Sequence, residues 1–167
     1  SLALQQNKTG GINAGDIFDF IGTSPFTLEM WIYLNRLDAE YRFLFHKNDE
    51  SGARQNYGIY VQSQRGIGFE RYVDDLAESV GFRSPSLGKW HHVAGVYTGT
   101  TLLLYVDGEL AEAATDARQA KDKARPFMLG CGYPDGEGAL DGIIDEIAVY
   151  EKALGSERIR AHFEAAK

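Results

Sequence analysis

Between Lys89 and Asp107 the chain reads KWHHVAGVYTGTTLLLYVD, and Gly108 closes the run. β-Branched, aromatic and aliphatic residues fill two arms, and Thr98-Gly99-Thr100 between them supplies a tight turn. In the second arm Leu102, Leu104 and Val106 share one parity and Leu103, Tyr105 and Asp107 the other, so a single strand face can be apolar. A helix would need apolar residues every three or four positions, which this run lacks. The stretch is therefore expected to be a half-buried antiparallel hairpin. Asp107-Gly108 adds a second tight turn, because that pair readily takes the positive φ angles of a two-residue hairpin loop.

The rest of the chain follows the same logic. Leu2 and Leu4 stand at strand spacing before the Lys8-Thr9-Gly10-Gly11 loop, and an apolar stretch around Ile12, Ile17 and Phe18 leads to the Thr23-Ser24-Pro25 turn. That turn launches a strand from Phe26 to Leu34. There Leu28, Met30, Ile32 and Leu34 alternate with Thr27, Glu29, Trp31 and Tyr33, setting a core face against a face with one acid and two aromatic rings. Further strands are expected at Tyr41 to Lys47, Tyr57 to Gln62, Gly66 to Val73 and Glu78 to Phe82, with a polar loop over 48–56. Residues 109–125 are rich in alanine and charge and would be helical by propensity, but the preceding Asp-Gly turn favours a strand for Glu109 to Ala114 and an irregular loop after it. Phe127 to Cys131 and residues 142–150 complete the strands, with a glycine-rich loop over 130–138 between them. Ser156 as N-cap, Glu157 in the first turn, and Ile159 and Phe163 on one face predict a short terminal helix docked on a sheet. About a dozen short strands and one helix make a single-domain β-sandwich over 1–167.

Composition narrows the function. A net charge of −7 without a block of lysines or arginines argues against nucleic acid and anionic membrane as partners. No apolar run approaches the roughly 20 residues that cross a bilayer. Cys131 is the one cysteine, which excludes an internal disulfide and a cysteine-based metal cluster; it reads as a small core residue. A start at Ser1 without methionine or leader reads as a mature form or an excised module. Asn7-Lys8-Thr9 matches a glycosylation sequon, which matters only in a host that glycosylates.

Three pieces together, FTLEMWIYL at 26–34, GKWHHVAGVYTGTTLLLYVDGEL at 88–110 and LDGIIDEIAVYEKALGSERI at 140–159, resemble the laminin-G-like branch of the concanavalin A-like lectin/glucanase superfamily. The resemblance implies an all-β jelly roll of two curved antiparallel sheets, one concave, with a short C-terminal helix, occurring as a module of extracellular or cell-surface proteins among other domains. It implies a ligand only loosely, since such folds bind glycans, bind proteins or act as spacers.

Glucanases of this fold carry a Glu, Asp, Glu strand motif whose carboxylates act as nucleophile, helper and general acid, and a retaining mechanism needs two acids about 5–5.5 Å apart. This chain has no such array: Glu29 is followed by Met30 and Trp31, Asp74, Asp75 and Glu78 are wrongly spaced, and Asp145-Glu146 point to opposite faces of one strand. His91 and His92 likewise point to opposite faces and cannot share a metal, and His46 and His162 lie elsewhere. Trp90 is expected in the core. On the concave face parity assembles Glu29, Trp31, Tyr33 and Glu146, with Arg71 nearby, and for Trp31 and Tyr33 a sugar-stacking platform competes with ordinary packing. Loop candidates for binding are Tyr41, Arg42, Tyr57, Tyr133 and Asp135.

Asp145 shares parity with Ile143, Ile147 and Val149, so it is expected to point inward, where a carboxylate must be paired or bound to a metal. The resemblance implies a structural calcium at such a position, completed by carbonyls of a loop in residues 8–16 and by Asp16 as a second carboxylate; a hydrogen bond to backbone amides is the alternative. The leading expectation is a non-catalytic carbohydrate-binding module. The runner-up is a structural or protein-interaction module, and a glycoside hydrolase comes third.

Overall fold

The computed structural model describes residues 2–4, 10–47, 55–83, 85–121 and 124–166; the 7–9 sequon and most of the 48–56 loop lie outside them. In chain order the strands are β1 (Leu2–Leu4), β2 (Ile12–Asn13), β3 (Phe26–Leu34), β4 (Arg42–Lys47), β5 (Gln55–Gln62), β6 (Gly66–Val73), β7 (Leu76–Phe82), β8 (Trp90–Tyr97), β9 (Thr101–Val106), β10 (Glu109–Thr115), β11 (Phe127–Leu129) and β12 (Gly142–Tyr150), followed by the helix α1 (Ser156–Ala165). They form two antiparallel sheets, ordered β1-β12-β3-β8-β9-β10 and β2-β11-β4-β5-β6-β7: the β-sandwich expected from the strand pattern, in the jelly-roll form that the resemblance implied.

The hairpin of β8 and β9 behaves as its alternation requires. Val93 pairs with Val106, Gly95 with Leu104 and Tyr97 with Leu102, and these side chains join Leu28, Met30 and Ile32 of β3 in the core between the sheets. Asp107 and Gly108 take φ values of 53° and 80°, the paired positive angles that the turn needs. The alanine-rich segment is strand up to Thr115, pairing with β9, because tertiary pairing outweighs its helix propensity.

Local details differ from expectation. The strand before Pro85 starts at Leu76, two residues early, so Asp74 and Asp75 form the β6–β7 turn with positive φ. The strand expected to reach Cys131 ends at Leu129, where Gly130 turns the chain at φ 73°. Gly155, not Ser156, is the helix N-cap, and no side chain caps it.

Two binding candidates, Arg71 expected near the concave face and Tyr57 expected on a loop, belong to the interior. Arg71, 2% exposed, spans the gap between sheets: Nη1 donates to Asp116 Oδ2 at 2.8 Å, Nη2 to the carbonyls of Gly22 and Arg118, and the guanidinium lies 4.4 Å from the Tyr97 ring centroid. Its parity on β6 points inward, and the buried Asp116 makes that position tolerable for a cation. Tyr57 is also core, tilted against Phe26 and Phe20, with its hydroxyl donating to the Phe18 carbonyl at 2.7 Å. Trp90 departs the other way. It begins β8 on the outer face and is 41% exposed.

Candidate functional site

The outer face of the β3-containing sheet is built in rows. Register aligns Tyr33 with Ile143 and Trp90, then Trp31 with Asp145 and His92, then Glu29 with Ala148 and Ala94. These residues alternate with the core set of β3 and therefore point away from the other sheet. Trp90 meets Tyr33 edge-on at a centroid distance of 5.7 Å.

Part of this face is covered by α1. Ile159 packs with Ala94, Val96, Tyr105 and Leu154 to form a second, smaller apolar cluster outside the sandwich. The last turns carry His162 and Phe163 over the rows of Glu29 and Trp31. Phe163 stacks on Trp31 at 5.7 Å and 24°, and a Cβ added at Gly108 would come within 2.9 Å of the Phe163 ring. Gly108 is thus fixed both by its turn and by the helix above it.

Beneath the helix, Glu29 is 4% exposed and collects two imidazoles. His92 Nε2 donates to Oε1 at 2.8 Å, and His162 Nδ1 donates to both carboxylate oxygens at 2.9 Å. Burial would raise the Glu29 pKa, but the hydrogen bonds from His92 and His162 outweigh it and hold the carboxyl below its ordinary range. Burial, together with the nearby Glu29 carboxylate, pushes the Tyr150 hydroxyl upward. His92 Nδ1 is buried without a hydrogen-bond partner.

A bulge in β12 shapes the other side of the site. Pairing with β3 slips between Asp145 and Ala148, and Glu146 sits at φ 48°. The extra residue resets the alternation, so Ile144 and Val149 both meet the core while Asp145 and Ala148 face outward. This corrects the inward orientation expected for Asp145, whose parity was counted through an unbroken strand. It is half-buried beside Trp31, and its Oδ1 accepts the Glu146 N–H at 2.9 Å.

Two adjoining cavities open beside the helix end. One, of about 490 Å³, is walled by Trp31, Trp90 and Phe163 with the carboxylates of Asp107, Asp145 and Glu146. The other, of about 520 Å³, shares Trp31 and Glu146 and reaches His92, Glu29, His162 and Tyr150. Glu29, Trp31, Glu146 and Asp145 are thus brought together, with Tyr33 one row away. Sequence reasoning missed Trp90, His92, Asp107, His162 and Phe163 as members. The available signal was β8 itself, where His92, Ala94 and Val96 on the outward parity include two apolar residues that need a cover.

The remaining candidates lie with the second sheet. Tyr41 packs on Tyr60 at 4.9 Å and on Phe43 at 6.3 Å, and Tyr133 meets Phe43 and His46 edge-on. Arg42 is held by Asp38, Nη2 to Oδ2 at 2.9 Å, and Asp135 accepts the Glu137 N–H within its own turn at 3.0 Å.

The residues assigned to calcium do not fit that ion as a pair. Asp16 Oδ1 accepts from Lys47 Nζ at 2.8 Å and from the Arg125 N–H at 3.1 Å, and the Lys47 hydrogen bond holds the Asp16 carboxyl below its ordinary range. Lys47 belongs to the second sheet, whereas Asp145 stands on the outside of the first. Among the described residues no group of three or more His, Cys, Asp or Glu is arranged to hold a metal ion; residues 8 and 9 of the assigned loop lie outside them.

Comparison with known proteins places the fold. No curated protein sequence matches the chain. Domain 4 of AbnA, an extracellular GH43 arabinanase from Geobacillus stearothermophilus solved with arabinotriose, is 17% identical and superposes with a TM-score of 0.70, over 96% of this chain and 80% of that one. The CBM40 of Ruminococcus gnavus IT-sialidase, solved with α2,3-sialyllactose, is 16% identical with a TM-score of 0.69, over 92% and 96%. The binding domain of Paraclostridial Mosquitocidal Protein 1 is 16% identical with a TM-score of 0.74, over 98% of this chain but 42% of that one, so this chain spans less than half of it. At these identities the likeness is one of fold. A family model described as the concanavalin A-like lectin/glucanases superfamily matches residues 6–160, and the chain belongs to that superfamily.

Proposed function

We propose that this chain is a non-catalytic carbohydrate-binding module of a larger extracellular protein, with its ligand on the Trp31–Trp90 face. The observation that carries the reading is the cavity of about 490 Å³ in which two tryptophans and a phenylalanine stand among three carboxylates. Aromatic rings offer flat apolar area to the C–H faces of a sugar, and carboxylates accept its hydroxyl protons, the combination of apolar wall and a few convergent polar groups that marks small-ligand sites. Structural neighbours solved with arabinotriose and with sialyllactose supply the carbohydrate part of the proposal, and the extracellular arabinanase supplies the setting.

A hydrolase fits the same face poorly. Glycosidic cleavage needs a carboxylic acid kept protonated near neutral pH by a raised pKa. Glu29, the buried acid of this face, is held the other way by two histidines. Asp145 and Glu146 are adjacent residues on a bulge, with the Asp145 carboxylate turned back on the Glu146 backbone.

The test is a glycan array followed by affinity electrophoresis, using the chain and its Trp90→Ala variant, because the exposed Trp90 can be removed with little loss of core. Retardation by a glycan that disappears in Trp90→Ala, with an unchanged melting temperature, supports the reading. No retention on plant, algal or animal glycans would leave a structural or protein-interaction module in its place.

A further inference from the structure

The charge around the Trp31–Trp90 cavity specifies more than a generic sugar. Its polar wall is Asp107, Asp145 and Glu146, and among the described residues no lysine or arginine lines it. Asp107 is locked in place, Oδ2 with His91 Nδ1 at 2.8 Å and Oδ1 accepting the His92 N–H at 3.0 Å, so its charge stays at the wall. Glu146 is exposed on its bulge and borders both cavities. The adjoining cavity adds the buried His92, whose Nδ1 has no hydrogen-bond partner. The first cavity therefore presents carboxylates and ring faces to its ligand. A carboxylated sugar would face repulsion from the exposed Glu146 carboxylate, whereas an ammonium group gains both Coulomb attraction and a cation–π contact with a tryptophan face within about 6 Å.

Resting on the carbohydrate reading above, we propose that this cavity selects a glycan bearing a protonated amine, a 2-amino-2-deoxyhexose, over its neutral N-acetylated form and over acidic glycans. The ammonium sits against Glu146 while the sugar ring lies along Trp90 and Trp31.

The experiment is calorimetric titration of the chain at about pH 6, where a sugar amine is protonated, with the β1,4-linked glucosamine trimer, the N-acetylglucosamine trimer and sialyllactose. The amine trimer is expected to bind roughly tenfold more tightly than the N-acetylated one, with sialyllactose weakest. Glu146→Gln should remove most of that preference while leaving neutral-glycan binding in place, and Trp90→Ala should weaken every glycan. Glu137→Gln, an exposed acid on the loop of the other sheet, controls for the overall negative charge. Equal affinity for the two trimers, or equal loss in Glu137→Gln and Glu146→Gln, would overturn the amine preference and leave the carbohydrate reading standing. Absence of binding by every glycan, with the chain folded, overturns both.

Discussion

Glu29 and His162 are 133 residues apart in the chain, and His162 Nδ1 lies 2.9 Å from both carboxylate oxygens of Glu29. This contact fastens the end of α1 to the middle strand of the sheet. It also fixes where Phe163, one residue on, meets Trp31, so a polar latch sets the geometry of the aromatic wall.

Removing the latch should loosen the helix. A hydrogen bond to a charged group contributes about 1.5–3 kcal/mol, so His162→Ala is expected to lower the urea-unfolding free energy by roughly that much, toward the lower end because His92 still serves Glu29. His162→Gln, which keeps a donor, should recover part of it. Equal stability of all three proteins in urea would mean that the helix is held by Ile159 and its apolar neighbours alone.

The same carboxylate gives a pH dependence of known sign. Glu29 has a folded pKa below its ordinary 4.5. Its contribution is therefore fully present above that value, and it is lost as pH falls through the lower folded pKa, when the folded state must take up the proton against its histidine partners. Asp116, whose pKa burial would raise but Arg118 and Arg71 lower below 3.8, acts in the same direction further down. Melting temperature should thus decline on acidification below about pH 4.5. The slope should be shallower in Glu29→Gln, and parallel curves for wild type and variant would remove Glu29 from the account.

Arg71 should matter for folding and not for binding. Truncating one member of a buried ion pair leaves the other charge without compensation, at a cost of about 3–5 kcal/mol. Arg71→Ala is expected near the lower bound, since Arg118 Nε still donates to Asp116 at 2.7 Å. A double variant, Arg71→Met with Asp116→Asn, should regain stability relative to Arg71→Ala. Chemical denaturation reads both, and glycan affinity at a temperature where the variants are folded should equal that of wild type.

Much of this was legible in the sequence, and the misses share a cause. The alternation in β3, β8 and β9 specified strands, pairing and the inner face, because period-two burial is written directly in residue type. Asp145 was misread because a bulge leaves no mark in parity counting; the slipped pairing with β3 and the positive φ at Glu146, a residue with no special tolerance for it, reveal the reset. Arg71 was misplaced because an inward arginine is acceptable only through Asp116, 45 residues away, which alternation cannot report. Parity placed Trp31 correctly, whereas Trp90, expected in the core, begins β8 on the same outer face; what separates them is position along that face, where Phe163 of α1 stacks on Trp31 and Trp90 is left 41% exposed.

The chain has two tryptophans, both on this face, which gives a direct spectroscopic readout. Trp31 is half-buried against Phe163 and His92, while Trp90 is 41% exposed and touches Tyr33. Acrylamide should quench wild-type fluorescence mainly through Trp90, so Trp90→Phe should show a markedly smaller quenching constant. A bound glycan should shield wild type from acrylamide and change the variant far less. Equal quenching of wild type and Trp90→Phe would place Trp90 away from solvent and remove it from the binding face.

Gly108 links turn, helix and site, and its substitution separates two effects. At φ 80° any side chain strains the β9–β10 turn, and a Cβ there would stand 2.9 Å from Phe163 Cδ1. Gly108→Ala should therefore cost more than the roughly 1 kcal/mol that a left-handed position alone imposes on alanine, because Phe163 must also shift. Phe163→Ala in the Gly108→Ala background relieves the clash but not the backbone strain, so the double-variant cycle isolates the contact: a coupling energy of at least about 0.5 kcal/mol is expected for residues that touch. A shifted Phe163 also moves its stack with Trp31, so Gly108→Ala should weaken glycan binding at temperatures where the protein remains folded. Additive stabilities in the cycle, together with unchanged glycan affinity, would show that α1 does not set the shape of the Trp31 wall.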